Sequence, residues 1–376
     1  MKTFLISALI TLVLCVIVDL ALAKLTWHPQ FRSYHPQRHH GLRPMSGAEA
    51  KWGQDVYEMR VNSLGMKDAR QREVPLTSEK HRIVLLGDSF TEGIGMSYHD
   101  SFVGRFAKFL SDRAAGKVEV LNAGVVSYSP KLYYLTAKDL LDRVGLKIDE
   151  FIVFIDISDI YDELVYESYQ SSPGTTWRDR YYQAKSFFNR NSYVYRTLLQ
   201  GPVHQVLLSL RNHLSGQNKD TSPTIENTPR PTGQPRQPAR SDWNNDEFAD
   251  RARAHWTFDD KIYDRWGKYG VHLATKNLGR LISLSKEHGI KVSLAVYPWP
   301  EQIASETGPS RQEKIWSRFA QSHGLKLLNL FGDFKRAEAE LFIKGDVHWN
   351  AEGHTLVAKK LIAFWCADAN VLKCGN

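Results

Sequence analysis

Cysteine is scarce in this 376-residue sequence, which contains three, at positions 15, 366 and 374. The cysteines lack zinc-finger spacing, and the aromatic-basic signature of an RNA-binding module is missing. The formal net charge of +8 is spread along the chain without a long block of lysine or arginine. We therefore expect no nucleic-acid partner, no metal and no cofactor.

The amino-terminal segment has little charge. Residues 4–18 contain no charged side chain, Asp19 interrupts the apolar run, and Ala21-x-Ala23 follows. A basic start, an apolar run and small residues before a cleavage point are typical of a signal peptide. Residues 4–23 also reach the length of about 20 residues that a membrane-spanning helix needs, provided that Asp19 lies near the interface. Both interpretations place the remaining chain outside the cytoplasm, periplasmic or secreted, and the second anchors it in a membrane.

Cys15 lies inside this apolar segment, so Cys366 and Cys374 are the only cysteines in the rest of the chain. In an oxidising compartment these two residues could close a small loop near the carboxyl terminus. Two unpaired thiols are the alternative.

Composition and hydrophobic periodicity divide the chain into segments. We expect a signal peptide or anchor (1–23), an extended connector rich in histidine and proline (24–56), an α/β domain in two parts (57–159 and 256–376) and an insertion between them (160–255). Within the insertion, residues 216–241 are low in aliphatic residues and rich in proline and small polar residues, which predicts disorder.

The α/β domain shows short apolar runs that alternate with helical patterns. Strands are predicted at 83–86, 117–125, 151–155, 290–297 and 325–330, and helices at 101–112, 130–144, 259–288, 311–323 and after 350. Strands that alternate with helices at this interval indicate parallel pairing with right-handed crossovers. The sequence therefore predicts a three-layer α/β/α sandwich with a parallel sheet of about five strands and a helical or disordered insertion.

Chemically useful residues follow several of these strands. The strand ends carry Asp88-Ser89, Asn122-Ala123-Gly124 and Ser158-Asp159, and Asp346-x-His348 precedes the last helix. Carboxyl ends of parallel strands meet at one edge of a sheet, where open α/β folds bind their ligands. A nucleophilic serine needs a general base, a group that orients the base, and N–H donors for the oxyanion. The pattern supplies candidates for each role, although Ser89 alone could equally be a helix cap.

Three blocks of sequence carry a family resemblance: Gly87-Asp88-Ser89-Phe90-Thr91-Glu92-Gly93, Asn122-Ala123-Gly124 and Asp346-Val347-His348-Trp349-Asn350-x-x-Gly353-His354. They closely resemble the SGNH/GDSL hydrolase superfamily, whose fold is flavodoxin-like. The resemblance implies that Ser89 is the nucleophile, His348 the general base and Asp346 the acid that orients it. It also implies an oxyanion hole formed by Ser89, Gly124 and the residue at position 158.

Two departures from the family pattern affect this interpretation. The third block usually contains an asparagine that donates to the oxyanion, and this chain has Ser158 at that position. The aspartate usually stands three residues before the histidine, whereas Asp346 stands two before His348. The Asp-x-His-Trp form resembles the branch related to alginate O-acetyltransferases, which move acetyl groups onto exported polysaccharides.

Three functions remain open on this evidence. The first is a serine esterase that acts on acyl esters, with acetyl the expected group, of carbohydrates or other alcohols through an acyl-enzyme. The second is a polysaccharide O-acetyltransferase that uses the same triad. The third is a non-catalytic glycan-binding or assembly partner of a membrane acyltransferase, which the altered third block would suit.

Overall fold

The computed structural model describes residues 2–26, 31–53, 55–171, 177–199, 253–305 and 308–367. The segment 216–241, for which the sequence predicts disorder, and Cys374 lie outside these residues. Cys15 is free and Cys366 is disulfide-bonded.

Five strands form one parallel sheet, which confirms the predicted fold class. The central residues of its strands are mostly apolar because helices cover both faces of the sheet, so side chains on either side are buried. The strands among the described residues are β1 (Arg32–His35), β2 (His39–Leu42), β3 (Gly47–Trp52), β4 (Asp55–Arg60), β5 (His81–Leu86), β6 (Val118–Asn122), β7 (Glu150–Ile155), β8 (Lys291–Val296) and β9 (Lys326–Asn329). The strand order in the parallel sheet is β6-β5-β7-β8-β9.

Thirteen α-helices are numbered here among the described residues. They are α1 (Lys2–Leu25), α2 (Ser89–Glu92), α3 (Phe102–Arg113), α4 (Pro130–Lys138), α5 (Asp159–Tyr166), α6 (Trp177–Asn191), α7 (Tyr193–Leu199), α8 (Asp260–Ile262), α9 (Lys268–Glu287), α10 (Pro300–Ser305), α11 (Arg311–Ser322), α12 (Phe331–Lys335) and α13 (Ala351–Cys366). A short π-helical segment at Asp139–Val144 extends α4, and another at Tyr263–Gly267 precedes α9.

The helices form two layers around the sheet. Helix α3 packs against α13, and α4 and α5 pack against α9. Local sequence explains α3: the Ser101 hydroxyl caps its amino end by accepting from the Gly104 N–H, and Phe102, Phe106 and Leu110 bury one face. This spacing is the signal that predicted the helix from sequence.

The region 24–56 differs from the expected extended connector. Strands β1 and β2 form one antiparallel hairpin, and β3 and β4 form a second. The first hairpin is fixed by contacts with the α/β domain: a ring nitrogen of His40 lies 2.8 Å from the Val126 carbonyl oxygen, and Tyr128 donates its hydroxyl proton to the His40 carbonyl. Local sequence pattern does not reveal such contacts, because the partners lie more than 80 residues away.

The sheet order places two strand ends side by side. The chain leaves β5 toward β6 on one side and later returns to β7 on the other, so a crevice opens between the carboxyl ends of β5 and β7. Ser89 follows β5 and Ser158 follows β7.

Helix α1 contains an apolar stretch long enough to cross a membrane. The stretch Ile6–Leu25 has a mean hydropathy of 2.7 and is almost entirely exposed, with 6% of its residues buried. This stretch coincides with the segment for which the sequence predicts a signal peptide or a membrane anchor.

Candidate active site

Ser89 lies on a tight turn between β5 and α2. A carboxyl oxygen of Asp88 caps α2 by accepting from the Phe90 N–H at 3.0 Å. Glycine is required at position 87, since a Cβ there would lie 2.0 Å from the hydroxyl oxygen of Thr91. The turn therefore presents the Ser89 hydroxyl at the sheet edge while its neighbours hold the backbone.

Ser89, His348 and Asp346 lie in a row. The Ser89 Oγ is 2.9 Å from His348 Nε2, and His348 Nδ1 is 2.6 Å from Asp346 Oδ1. With Nδ1 protonated toward the carboxylate, Nε2 has its lone pair available for the serine proton. The structure thus brings together the three residues that sequence reasoning selected for the triad.

The Asp346 carboxylate is fixed by several donors. The His348 backbone N–H donates to Oδ1 at 2.9 Å, and the side chain of the same residue approaches that oxygen. Burial alone would raise the pKa of Asp346, but the hydrogen bonds and charge of His348, with a hydrogen bond from Trp52, lower it well below its usual range. Asp346 is therefore anionic at neutral pH and suited to stabilise a protonated His348.

Trp52 is a site residue that sequence reasoning did not find. It ends β3, and its indole Nε1–H donates to Asp346 Oδ2 at 2.7 Å. The same ring packs edge-on against the His348 imidazole, with 5.2 Å between centroids. Through Trp52, the second hairpin thereby holds Asp346 and His348 in place. No sequence signal links the two regions, which are separated by nearly the whole described chain.

Three buried carboxyl groups lie beneath the nucleophile. Oxygens of Asp88, Asp156 and Asp159 lie within 4.8 Å of one another. Burial raises the pKa of each, and mutual repulsion adds to the shift for Asp88 and Asp159. Their oxygens are hydrogen-bonded within the protein: Tyr297 and Phe90 donate to Asp88, and both oxygens of Asp159 accept from the Tyr133 hydroxyl. We therefore interpret the cluster as a hydrogen-bonded structural network.

Asp88 also contacts the nucleophile directly. The Ser89 Oγ lies 3.1 Å from Asp88 Oδ2, slightly farther than from His348 Nε2. An ionised Asp88 would compete with His348 for the single serine proton. A protonated Asp88, which its raised pKa favours, can instead donate to the Ser89 oxygen and leave the serine proton to His348.

Gly124 does not have the arrangement expected of an oxyanion donor. Its N–H donates to the Asn122 side-chain oxygen at 3.0 Å, and the residue does not line the cleft. Its importance is steric: a Cβ at this position would lie 2.4 Å from the Glu92 nitrogen. The glycine permits the β6–α4 loop to approach α2, and the expectation that it supplies an oxyanion N–H is not supported.

Ser158 has its donors directed to Asp156. Its hydroxyl donates to Asp156 Oδ2 at 2.5 Å, and its backbone N–H donates to the same oxygen at 2.8 Å. The residue does line the cleft, as expected from its position after β7. Asp156 therefore holds the hydroxyl proton that an oxyanion would need.

Ser127 is a second residue that sequence reasoning missed. It lines the cleft, three residues after Gly124, and has a φ of 58° in the left-handed region. A non-glycine residue there is uncommon and is a feature of functional loops. Within the described part of the chain, no hydrogen bond occupies its N–H. The sequence signal that points to Ser127 is its position in the loop after the second predicted strand of the α/β domain, now β6.

The cleft around Ser89 is small, with a volume of about 230 Å³. Trp52, Phe90, Val126 and Trp299 supply its apolar lining, and Asp162 and Arg253 supply charged groups. Arg253 lies 3.7 Å from Asp162, so the charges near the cleft are paired. Sites for drug-sized ligands are usually larger, about 300 to 1,000 Å³. The cleft therefore suits a small group next to the serine hydroxyl.

An ion pair between the partly exposed Arg32 and the buried Glu92 ties the first hairpin to the nucleophile helix. Both oxygens of Glu92, the last residue of α2, accept from the Arg32 guanidinium at 2.6 and 2.8 Å. Burial alone would raise the pKa of Glu92, but Arg32, Lys67 and the Val126 N–H lower it overall. Glu92 is thus an ionised, fully buried side chain that joins α2, the hairpin and the loop containing Val126.

Comparisons with known proteins returned structures only. No family model and no curated protein matches this chain. Among solved structures, an α/β hydrolase from the metagenome of Lake Arreo, Spain, is similar at 12% identity and a TM-score of 0.40, covering 78% of this chain and 99% of its own. A catalytic mutant of the acetylxylan esterase Axe2 from Geobacillus stearothermophilus is similar at 11% identity and a TM-score of 0.39, covering 77% and 96%.

The psychrotrophic esterase EstA from a Pseudoalteromonas species is similar at 11% identity and a TM-score of 0.37, covering 77% of this chain and 100% of its own. At such identities and TM-scores, the neighbours do not identify a reaction for this chain. What the site can do follows from its own geometry.

Proposed function

We propose that this protein is an extracytoplasmic serine enzyme that takes a small acyl group, acetyl in the first instance, from an ester. The observation that carries the proposal is the row of hydrogen bonds from Ser89 through His348 to Asp346, at 2.9 and 2.6 Å. A serine hydroxyl, a base and an orienting acid at these distances are the elements of nucleophilic acyl transfer. The resemblance of the Ser89 and His348 blocks to SGNH/GDSL hydrolases supports the same chemistry.

The first half-reaction is as follows. Ser89 Oγ attacks the ester carbonyl carbon while its proton passes to His348 Nε2, and Asp346 stabilises the resulting imidazolium. The carbonyl oxygen becomes an oxyanion, which we assign to the backbone N–H groups of Ser89 and Ser127. The N–H of Ser89 stands at the start of α2, where helical N–H groups lack intrahelical acceptors. Collapse of the intermediate breaks the ester C–O bond, and His348 returns the proton to the leaving alcohol.

The second half-reaction releases the acyl group from Ser89. His348 takes a proton from water or from another hydroxyl group, whose oxygen attacks the acyl carbonyl. The bond between the acyl carbon and Ser89 Oγ then breaks, and His348 returns the proton to Ser89 Oγ. Attack by water completes ester hydrolysis, and attack by a sugar hydroxyl completes O-acetyl transfer. The triad serves both outcomes equally, so hydrolysis is the primary proposal and transfer to a polysaccharide is the second candidate, which the Asp346-x-His348-Trp349 order favours.

The size and the polarity of the cleft indicate which esters fit it. A volume of about 230 Å³ next to Ser89 leaves room for a short acyl chain and little else. The charged Asp162 and Arg253 at the cleft suit a polar alcohol portion better than a lipid. We therefore propose acylated carbohydrate as the substrate class.

The test uses the full chain purified in detergent, with acetate and octanoate esters of p-nitrophenol. We expect serine-dependent release with the acetate and much slower release with the octanoate. Ser89→Ala is expected to abolish the activity, and Ser322→Ala, at a surface serine far from the site, to leave it unchanged. Unchanged activity in Ser89→Ala would refute the nucleophile assignment.

Addition of bare polysaccharide separates the two candidates. Serine-dependent turnover that requires the polysaccharide, with acetyl recovered on the glycan, would favour transfer over hydrolysis. Complete absence of serine-dependent turnover with every ester and acceptor would favour the non-catalytic glycan-binding hypothesis.

A further inference from the structure

Helices α6 and α7 are attached to the apolar helix α1. Both contact it directly, and α6 also contacts β1. Helix α1 has the length and hydropathy of a bilayer span, and nearly all of its surface is exposed. The two helices are therefore placed where α1 would leave a membrane.

The first attachment involves Asp19, the charged residue within the apolar segment. Its Oδ1 accepts a hydrogen bond from the backbone N–H of Val194, at the start of α7, at 2.8 Å. A carboxylate in or near hydrocarbon is costly unless a donor compensates it. Helix α7 supplies the donor, which places its first turn at the depth of Asp19.

The second attachment involves carbonyl groups four and seven residues after Asp19. The Arg196 guanidinium donates to the Ala23 carbonyl at 2.7 Å and to the Thr26 carbonyl at 3.2 Å. Ala23 is the last residue of the Ala21-x-Ala23 pattern, and its side chain is fully buried. Peptidases act on exposed, extended segments. The potential cleavage site is instead helical, with its carbonyl oxygen bound.

Helices α6 and α7 also carry exposed apolar side chains. Along α6, Trp177, Tyr181 and Phe188 recur at helical spacing on one side, with exposed fractions of 81%, 55% and 49%. On α7, Val194 and Leu198 are exposed at 50% and 43%. Tryptophan and tyrosine are the residues enriched at membrane–water interfaces.

Basic side chains border this apolar stripe. Arg180 and Lys185 lie on either side of it and are exposed. Residues 177–199 contain five arginine or lysine residues and one aspartate. An apolar stripe flanked by basic side chains is the pattern of helices that lie in the plane of an anionic bilayer surface.

We propose that α6 and α7 lie on the surface of an anionic lipid bilayer and retain α1 in that bilayer as an uncleaved anchor. Trp177, Tyr181 and Phe188 enter the interface, and Arg180 and Lys185 pair with lipid phosphates. The proposal concerns attachment alone and does not depend on the activity at Ser89.

The experiment uses the full chain with Cys15→Ser, reconstituted in vesicles of phosphatidylcholine and phosphatidylglycerol that carry brominated acyl chains. Phe188→Cys is labelled with an environment-sensitive fluorophore. The matched control is Val56→Cys on the second hairpin, where the native side chain is 63% exposed. We expect several-fold stronger quenching by brominated lipid at position 188, and weaker quenching at position 188 in an Arg180→Gln/Lys185→Gln variant.

Equal quenching at positions 188 and 56 would overturn the membrane contact. A label at position 188 that is shielded from aqueous iodide but not quenched by lipid would point to a protein partner or second copy and would also overturn it. The intact mass of the chain isolated from cell membranes tests retention of α1. A product that begins at Lys24 would refute the uncleaved anchor.

Discussion

The indole N–H of Trp52 donates to Asp346 at 2.7 Å, so a residue at the end of an amino-terminal hairpin holds the acid of the proposed triad. Asp346 thus has one oxygen bound by His348 and the other by Trp52. This arrangement fixes the carboxylate in the orientation that its histidine partner requires. The second hairpin is therefore part of the site as well as part of the fold.

Trp52→Phe tests this positioning role. The substitution keeps an aromatic ring beside His348 and removes the hydrogen bond to Asp346. A hydrogen bond to a charged group contributes about 1.5–3 kcal/mol, which corresponds to a loss of about 10-fold or more in kcat if it acts fully in the transition state. Ester hydrolysis at saturating substrate measures kcat.

The matched control is Trp177→Phe, at an exposed tryptophan on α6, which should leave kcat in detergent unchanged. Retention of full kcat by Trp52→Phe would show that the indole hydrogen bond does not position the triad. A rise in KM without loss of kcat would assign Trp52 to substrate binding instead.

Ser158→Ala tests the oxyanion assignment. Since the Ser158 hydroxyl donates to Asp156, we expect its removal to lower kcat by less than about 10-fold, whereas loss of a true oxyanion donor costs about 100- to 1,000-fold. Steady-state hydrolysis of the acetate ester distinguishes these values. A loss of 100-fold or more in kcat in a folded variant would show that Ser158 does donate to the oxyanion.

Gly124→Ala tests the steric interpretation of the β6–α4 loop. A Cβ at 124 would lie 2.4 Å from the Glu92 nitrogen and 2.6 Å from the Thr91 carbonyl carbon, and neither backbone atom can move freely. Overpacking of this kind costs about 1–3 kcal/mol or more, so urea unfolding should show a clear loss of stability. Gly279→Ala, in α9 with open space around its position, should instead be neutral or stabilise by about 0.5–1 kcal/mol. Equal stabilities for the two variants would contradict the prediction.

Because the Glu163 carboxyl group is buried, we expect the stability of the protein to depend on pH. Burial raises the pKa of Glu163 from 4.5 to about 7, although the Lys131 N–H, Asn277 and Ser129 donate to the carboxyl group. Between pH 4.5 and about 7, the folded state binds more protons at Glu163 than the unfolded state does. The stability contributed by the protonated Glu163 is therefore fully present below pH 4.5 and is lost as the pH rises through about 7. The loss has an upper limit of about 3 kcal/mol.

The measurement compares the free energy of unfolding across this pH range in the parent and in Glu163→Gln. The parent should lose stability with rising pH more steeply than the variant, because the variant cannot ionise at this position. Glu338→Gln, at an exposed position, is the control and should follow the parent. Parallel curves for the parent and Glu163→Gln would contradict the raised pKa.

The sequence alone predicted the five-stranded parallel sheet and selected Ser89, Asp346 and His348 as neighbours. Both predictions depend on strong local signals. Continuous apolar runs such as 83–86 and 151–155 must be buried on both faces, and residues that follow parallel strands must meet at one edge.

Only the tertiary structure decided which groups surround these three residues. Trp52 meets Asp346 across 294 positions of sequence, and Asn122 rather than a substrate accepts the Gly124 N–H. The hydroxyl proton of Ser158 goes to Asp156, and Ser127 lines the cleft instead of Gly124. Such contacts arise in loops and hairpins, which have no periodicity, and depend on how separate segments pack. A sequence pattern fixes which face of an element is buried, but the partner of each polar group is set by the folded chain.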